Sequence, residues 1–272
     1  MNARSGFSMG LCFWLSMFSG SPAGAADSEA GLQRWEVMVE GVAREAWVWV
    51  PAGGKGNAVP VVFGFHGHGG TARGAARSFA VHREWPEAVV VYPQGLNTPG
   101  PLTDPEGKRA GWQMRAGQQG DRDLKFYDAL RARLEGEFRV DGRRVYATGH
   151  SNGGGFVYLL WAERGQTLAA VAPSGCVASG VMGQLRAKPV LHLAGRTDGL
   201  VKFDWQERTM AGLRRVNGCE GEGRAWVKGA TWYDSRGGTP VLTFVYPGGH
   251  AFPAEGPGLI ARFFREQPWV GK

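Results

Sequence analysis

Two stretches near the amino end alternate apolar and polar residues: Arg34-Trp-Glu-Val-Met-Val and Arg44-Glu-Ala-Trp-Val-Trp-Val. A period of two predicts antiparallel strands, each with one solvated face. The pattern then changes. Val59-Pro-Val-Val-Phe-Gly-Phe65 and Ala88-Val-Val-Val-Tyr92 are continuous apolar runs. Arg144–Thr148, Leu168–Ala172, Pro189–Ala194 and Val241–Tyr246 are of the same kind. Such runs suit strands covered on both faces, as in a parallel sheet. Helical spacing lies between them. From Leu124 to Phe138, the residues Phe126, Leu130, Leu134 and Phe138 share one stripe at i, i+4 intervals. Phe203–Val216 and Leu259–Arg265 predict further helices. Strands alternating with helices of this length predict βαβ units. The expected fold is α/β: a three-layer sandwich with a mostly parallel central sheet and an antiparallel N-terminal edge. In such sheets ligands bind beyond the carboxyl ends of the strands, so each strand end is a place to look for chemistry.

Composition removes several classes. The chain has 272 residues, 43% hydrophobic and 20% charged, which excludes a disordered polyelectrolyte. Its 44 glycines and 15 prolines follow no fixed period, which excludes collagen. The net charge is +7, but the basic residues are scattered among acidic ones. Without an aromatic-interleaved basic stripe, no nucleic-acid partner is expected. Residues 1–25 carry Arg4, an apolar run from Phe7 to Phe18, and small residues ending Ala23-Gly-Ala25. That order predicts a secretory signal peptide over 1–25. The run is too short to span a bilayer, and no longer one follows, so no membrane partner is expected. The remainder, 26–272, is expected to be one secreted catalytic domain of about 245 residues, acting as a monomer. Cys12 would leave with the signal segment. In an exported chain the remaining pair, Cys176 and Cys219, reads as one disulfide; two buried free thiols are the other reading.

Three strand ends carry candidate chemistry. After Arg144–Thr148 comes Gly149-His-Ser-Asn-Gly153, a G-x-S-x-G turn. In a chain this rich in glycine the motif means little by itself. Here a strand precedes it, and Phe156–Arg164 reads as a helix closing at Gly165. That strand–turn–helix setting suits a nucleophile elbow with Ser151 at its tip. After Pro189–Ala194 comes Asp198, placed to orient a histidine. Asp204 competes but falls inside a helix. After Val241–Tyr246 comes His250 in a Gly/Pro-flanked loop, suited to a general base. Ser151, Asp198 and His250 follow the Ser…Asp…His order of α/β-hydrolases. An early strand ends at Phe65 and leads into His66-Gly-His68-Gly-Gly70. This loop is expected to supply the backbone N–H of His68 to an oxyanion hole, with that of Asn152 as second donor. Each donor is typically worth about 3–4 kcal/mol. Metal binding by His66 and His68 is the alternative, but two ligands without an acid make no site. No metal or other cofactor is expected.

These stretches, with Val91-Tyr-Pro-Gln-Gly95, Gly111-Trp-Gln113, Gly195–Val201, Val216–Cys219 and Gly248-Gly-His250, make the chain resemble a known group. From Val59 to Pro253 it resembles secreted esterases of the feruloyl esterase and polyhydroxybutyrate depolymerase group. The resemblance implies an α/β-hydrolase fold, Ser151 as nucleophile, Asp198 as triad acid and His250 as base. It also implies substrate contacts from Trp112 and His150, core packing being the other reading of Trp112. The chain departs from the group with Gly199 where a proline is common. The loop from Leu96 to Ala110, rich in Pro and Gly, is expected to form a pocket rim. The implied function is hydrolysis of an ester substrate, small or polymer-linked, by a serine carboxylesterase. Feruloyl or acetyl esters of plant cell-wall polysaccharide come first. Polyhydroxyalkanoate is the alternative, and non-catalytic polysaccharide binding on a hydrolase scaffold a third.

Overall fold

A computed structural model describes Met1 and residues 31–54, 56–178 and 180–267. Apart from Met1, the expected signal segment, with Cys12, lies outside the described residues. The two alternating stretches form β1 (Leu32–Val39) and β2 (Val42–Trp49), paired antiparallel. Glu40 and Gly41 join them, both at positive φ (49° and 81°). Two positive φ values make the tight turn whose twist matches a hairpin. The apolar runs become β3 (Val59–Phe65) and β4 (Val89–Pro93), in which every residue is buried. A small separate pair follows, β5 (Leu96–Asn97) with β6 (Ala110–Gly111). Then come β7 (Val140–His150), β8 (Ala170–Ser174), β9 (Val190–Gly195), β10 (Arg224–Val227), β11 (Ala230–Tyr233) and β12 (Val241–Tyr246).

The main sheet runs β1-β2-β4-β3-β7-β8-β9-β12-β11-β10. From β4 to β12 neighbouring strands are parallel. The edge at β1 and β2 is antiparallel, as expected. So is the opposite edge, β11 and β10, which the apolar pattern does not announce. Those strands have four residues each and are mostly half-exposed or exposed, so neither leaves a continuous apolar run.

Helices cover both faces: α1 (Ala72–Phe79), α2 (Val81–Glu84), α3 (Arg122–Glu137), α4 (Asn152–Arg164), α5 (Phe203–Asn217) and α6 (Gly256–Glu266). Phe126, Leu130 and Leu134 of α3 join α4 and Leu213 of α5 in one core. Phe79 of α1, Val81 of α2 and Ile260, Phe263 and Phe264 of α6 form the other, across the sheet. The three-layer α/β architecture is therefore the one expected.

The expected solvated face of β2 is missing, because Ala46 and Val48 are buried on one side and Trp47 on the other. Arg44 shares its face with Ala46 and Val48, and is 2% exposed. Its Nη2 donates to Asp123 Oδ1 at 2.9 Å, with both side chains buried. Nη1 donates to the Arg122 carbonyl, and the guanidinium lies 4.2 Å from the Phe126 ring centre. Asp123 Oδ2 accepts the Gln113 N–H at 2.9 Å. One buried ion pair thus ties the β2 edge, the start of α3 and the loop after β6 together. Removing one partner of such a pair strands the other charge in the core. Asp123→Ala is expected to lower the free energy of urea unfolding by about 3–5 kcal/mol. Glu220→Ala, which breaks an exposed pair with Arg236, is expected to change it by less than about 1 kcal/mol.

Candidate active site

β7 ends at His150 and α4 begins at Asn152, so the turn between them is the single residue Ser151. Its backbone sits at φ 55° and ψ −121°, a conformation strained for any residue with a β-carbon. The surroundings enforce it. The Ser151 N–H donates to the Ser174 carbonyl at 2.8 Å. Strand and helix also approach closely: a β-carbon on Gly153 would lie 2.1 Å from the Phe65 carbonyl oxygen, and one on Gly149 would lie 2.5 Å from that of Gly153. Only glycine fits at either place. The serine hydroxyl is thereby lifted clear of the sheet.

The structure brings Ser151, His250 and Asp198 together. Their hydrogen bonds run Ser151 Oγ to His250 Nε2 at 2.8 Å and His250 Nδ1 to Asp198 Oδ2 at 2.8 Å. Asp198 has its side chain fully buried. Its Oδ1 accepts the N–H groups of Leu200 and Val201, each at 2.9 Å. Its Oδ2 also accepts from Gln206 Nε2 at 3.0 Å. With four donors, the carboxylate has one orientation. A histidine donating from Nδ1 presents Nε2 as acceptor to the serine hydroxyl. The loops that carry His250 and Asp198 meet because Gly195 has no side chain: a β-carbon there would lie 2.2 Å from the Gly249 carbonyl oxygen.

His150 lines the cleft and also holds the loop that carries His250. Its Nε2 donates to the His250 carbonyl at 2.7 Å, and its Nδ1 accepts from Ser174 Oγ at 3.2 Å. Burial, helped by the His250 ring, pushes its pKa down to about 4, so it stays neutral and keeps this tautomer.

The loop after β3 is pinned on both sides. His66 donates from Nδ1 to the Gly67 carbonyl and accepts the Gly95 N–H at Nε2. Burial lowers its pKa to about 4. His68 Nε2 donates to Asp104 Oδ2 at 3.0 Å, and that hydrogen bond pulls the Asp104 pKa down to about 2. Arg109 N–H joins the same oxygen at 2.8 Å, and Gly69 N–H donates to the Ala110 carbonyl at 2.7 Å. The loop from Leu96 to Ala110 is thus fastened to the expected oxyanion loop. Pro101, Leu102 and Thr103 from it line the cleft as a rim. His68 and Asn152 border the same cleft, and among the described residues the backbone N–H of neither has a protein partner.

Two expectations are corrected. Trp112 does not line the cleft. It is fully buried, edge-on to Phe65 and stacked on Phe156. Its Nε1 donates to the His66 carbonyl at 2.8 Å. Asn152 clamps the Trp112 backbone with both ends of its amide: Oδ1 accepts at 2.7 Å and Nδ2 donates at 3.0 Å. Trp112 therefore braces the loop after β3 from behind. The disulfide is also absent: Cys176 and Cys219 are free thiols. Cys176 follows β8 at the carboxyl end of the sheet and lines the cleft. Cys219 follows α5, whose Asn217 bonds to the carbonyls of Lys188 and Thr239, just ahead of β9 and β12. The two cysteines therefore sit at opposite ends of the parallel strands. Burial pushes the Cys176 thiol up, which makes it inert.

Above Ser151 lies a cleft of about 860 Å³. Leu102, Met114, Val177, Val181, Met182 and Trp205 give it apolar walls. Two tests follow from the geometry. Ser151→Gly removes the β-carbon from a strained backbone and is expected to raise stability by about 1 kcal/mol in urea unfolding. His66, His82, His150 and His192 all sit at about 4, against the usual 6.5, because burial disfavours their charged form. The unfolded chain therefore binds more protons than the folded one between these values. Stability is expected to hold above pH 6.5 and to fall steadily toward pH 4, read as a dropping urea midpoint.

No family model matches the chain. It is 30% identical over 200 residues to a probable feruloyl esterase C of Aspergillus clavatus, covering 71% of this chain and 70% of that one. Feruloyl esterase C of Emericella nidulans is 28% identical over 203 residues, with 70% and 69% covered. Among solved structures, an acetyl xylan esterase from Aspergillus awamori superposes with a TM-score of 0.65 at 14% identity, over 86% of this chain and 98% of that one. A ferulic acid esterase superposes with a TM-score of 0.62 at 16% identity, over 86% and 97%. The structural likenesses establish the α/β-hydrolase fold. With the sequence likeness added, the chain belongs to the feruloyl esterase group and is a carboxylic ester hydrolase.

Proposed function

We propose that the chain is a secreted serine esterase that releases feruloyl groups, and acetyl groups secondarily, from plant cell-wall polysaccharide. The continuous hydrogen-bonded series Ser151–His250–Asp198, opening on an apolar cleft, carries this reading. His250 Nε2 takes the Ser151 proton as Oγ bonds to the ester carbonyl carbon. The carbonyl oxygen becomes an oxyanion that accepts from the backbone N–H groups of His68 and Asn152. Asp198 keeps the imidazolium oriented. The intermediate collapses, His250 gives its proton to the departing alkoxide oxygen, and the acyl group stays on Ser151. Water then repeats the cycle: His250 takes its proton as the hydroxide oxygen bonds to the acyl carbon, the acyl–serine bond breaks, His250 returns the proton to Ser151 Oγ, and the free acid leaves.

A cleft of about 860 Å³ with leucine, methionine and valine walls offers an aromatic acyl group far more contact than an acetyl group can use. The names of the relatives above point to the same substrates. Export would be directed by residues 1–25, and the enzyme would act as a monomer.

Ser151→Ala is expected to cut methyl ferulate hydrolysis by at least about a thousandfold, with an unchanged thermal melt. Hydrolysis retained by a folded Ser151→Ala protein would overturn the assignment. Wild-type turnover faster on acetyl than on feruloyl esters would reverse the substrate order.

A further inference from the structure

The cleft carries a charge pattern that ester hydrolysis does not require. Three arginines border it: Arg109 from the rim loop, Arg115 from the turn after β6, and Arg208 from α5. No aspartate or glutamate is among its lining residues. Elsewhere on the surface arginines are commonly matched to acids, as in Arg131–Glu135, Arg164–Asp128 and Arg262–Glu266. The three cleft arginines are different: among the described residues none forms an ion pair. Arg109 Nη2 makes one long contact, to the Thr103 carbonyl at 3.3 Å. Asp104, the acid nearest to it in sequence, spends Oδ2 on His68 and on the Arg109 backbone.

Three unpaired cations around one concave surface focus their field into it. Guanidinium groups are also the side chains best shaped to hold a carboxylate, through paired N–H donors. All three are exposed at the mouth, whereas the deeper lining, with Cys176 and Ala178, is buried and apolar. An acyl group suits the apolar depth. The alcohol portion of the ester, which stays in water, then meets the arginines.

We infer that Arg109, Arg115 and Arg208 recognise a carboxylate on the alcohol side of the ester, so that the preferred substrate is an acylated, uronate-bearing glycan. This rests on the esterase reading and narrows its substrate. The test compares a feruloylated galacturonic acid with the matching feruloylated galactose, which differ in a carboxylate against a hydroxymethyl group. At low ionic strength kcat/KM is expected to be about tenfold higher for the acid, the lower end of electrostatic steering. That ratio is expected to approach one at 1 M NaCl, where the Debye length shrinks to about 3 Å. In the triple variant Arg109→Gln, Arg115→Gln, Arg208→Gln the ratio is expected to approach one at every salt concentration. Equal kcat/KM for the two sugars in the wild-type enzyme would overturn the inference and leave the esterase reading standing. A preference that appears only with half-esters of dicarboxylic acids would overturn it too, by putting the carboxylate on the acyl side. Failure to hydrolyse any of these esters would overturn both readings together.

Discussion

The constraint on which the molecule turns is the backbone of Ser151. A residue with a β-carbon is held at φ 55° between a buried strand and a buried helix. Nothing local favours that conformation, so the rest of the fold must impose it. The imposition is visible on every side. Ser174 fixes the amide from the next strand, and Gly149 and Gly153 let β7, α4 and the end of β3 close to contact distance. Asn152, the next residue, is locked by its amide to the Trp112 backbone. Trp112 in turn holds the His66 carbonyl. The elbow and the loop after β3 are therefore linked through Trp112 by a continuous series of hydrogen bonds. Their spacing is set by these contacts within the protein.

Neutral imidazoles do much of this fastening. His66 is buried and His150 half-buried, and each spends both ring nitrogens within the protein. An imidazole can donate and accept at once, which a protonated ring cannot. Burial suppresses the charged form, so each ring keeps the tautomer its partners need. One of them, His150, lies beside His250, with ring centres 5.0 Å apart. The buried pair Arg44–Asp123 serves the same end at longer range, since Asp123 also anchors Gln113 directly after Trp112.

Strand ends made the site legible before the fold was known. Ser151, Asp198 and His250 each follow an apolar run, and strands of a parallel sheet deliver their carboxyl ends to one crevice. The structure brings the three within hydrogen-bond reach of one another. What stayed hidden depends on partners far along the chain. Arg44 looks solvated in an alternating strand, and nothing local shows that Asp123 waits 79 residues away. Trp112 follows a loop beside the site, and only its contacts with Phe65 and Phe156 reveal that it points into the core. The cysteines made a plausible pair by number, but α5 carries the second to the far end of the sheet. The edge strands β10 and β11 are short and half-exposed, so periodicity has little to register.

The division of labour in the cleft follows from the same mechanics. Groups that need fixed geometry sit at strand ends, where backbone hydrogen bonds and close packing hold them. The rest of the cleft lining comes from residues 100–118, the segment after β8, and residues 200–209 with the start of α5. These are joined to the rigid part at a few places, such as His68–Asp104 and Gly69–Ala110. Met114 of the cleft wall touches the elbow directly, through Asn152 Nδ2 at 3.1 Å, whereas the three arginines lie exposed at the mouth. Charge at that mouth costs the fold little and acts directly on what enters. In this architecture the cleft walls and rim come from segments other than the strand ends that hold Ser151, Asp198 and His250.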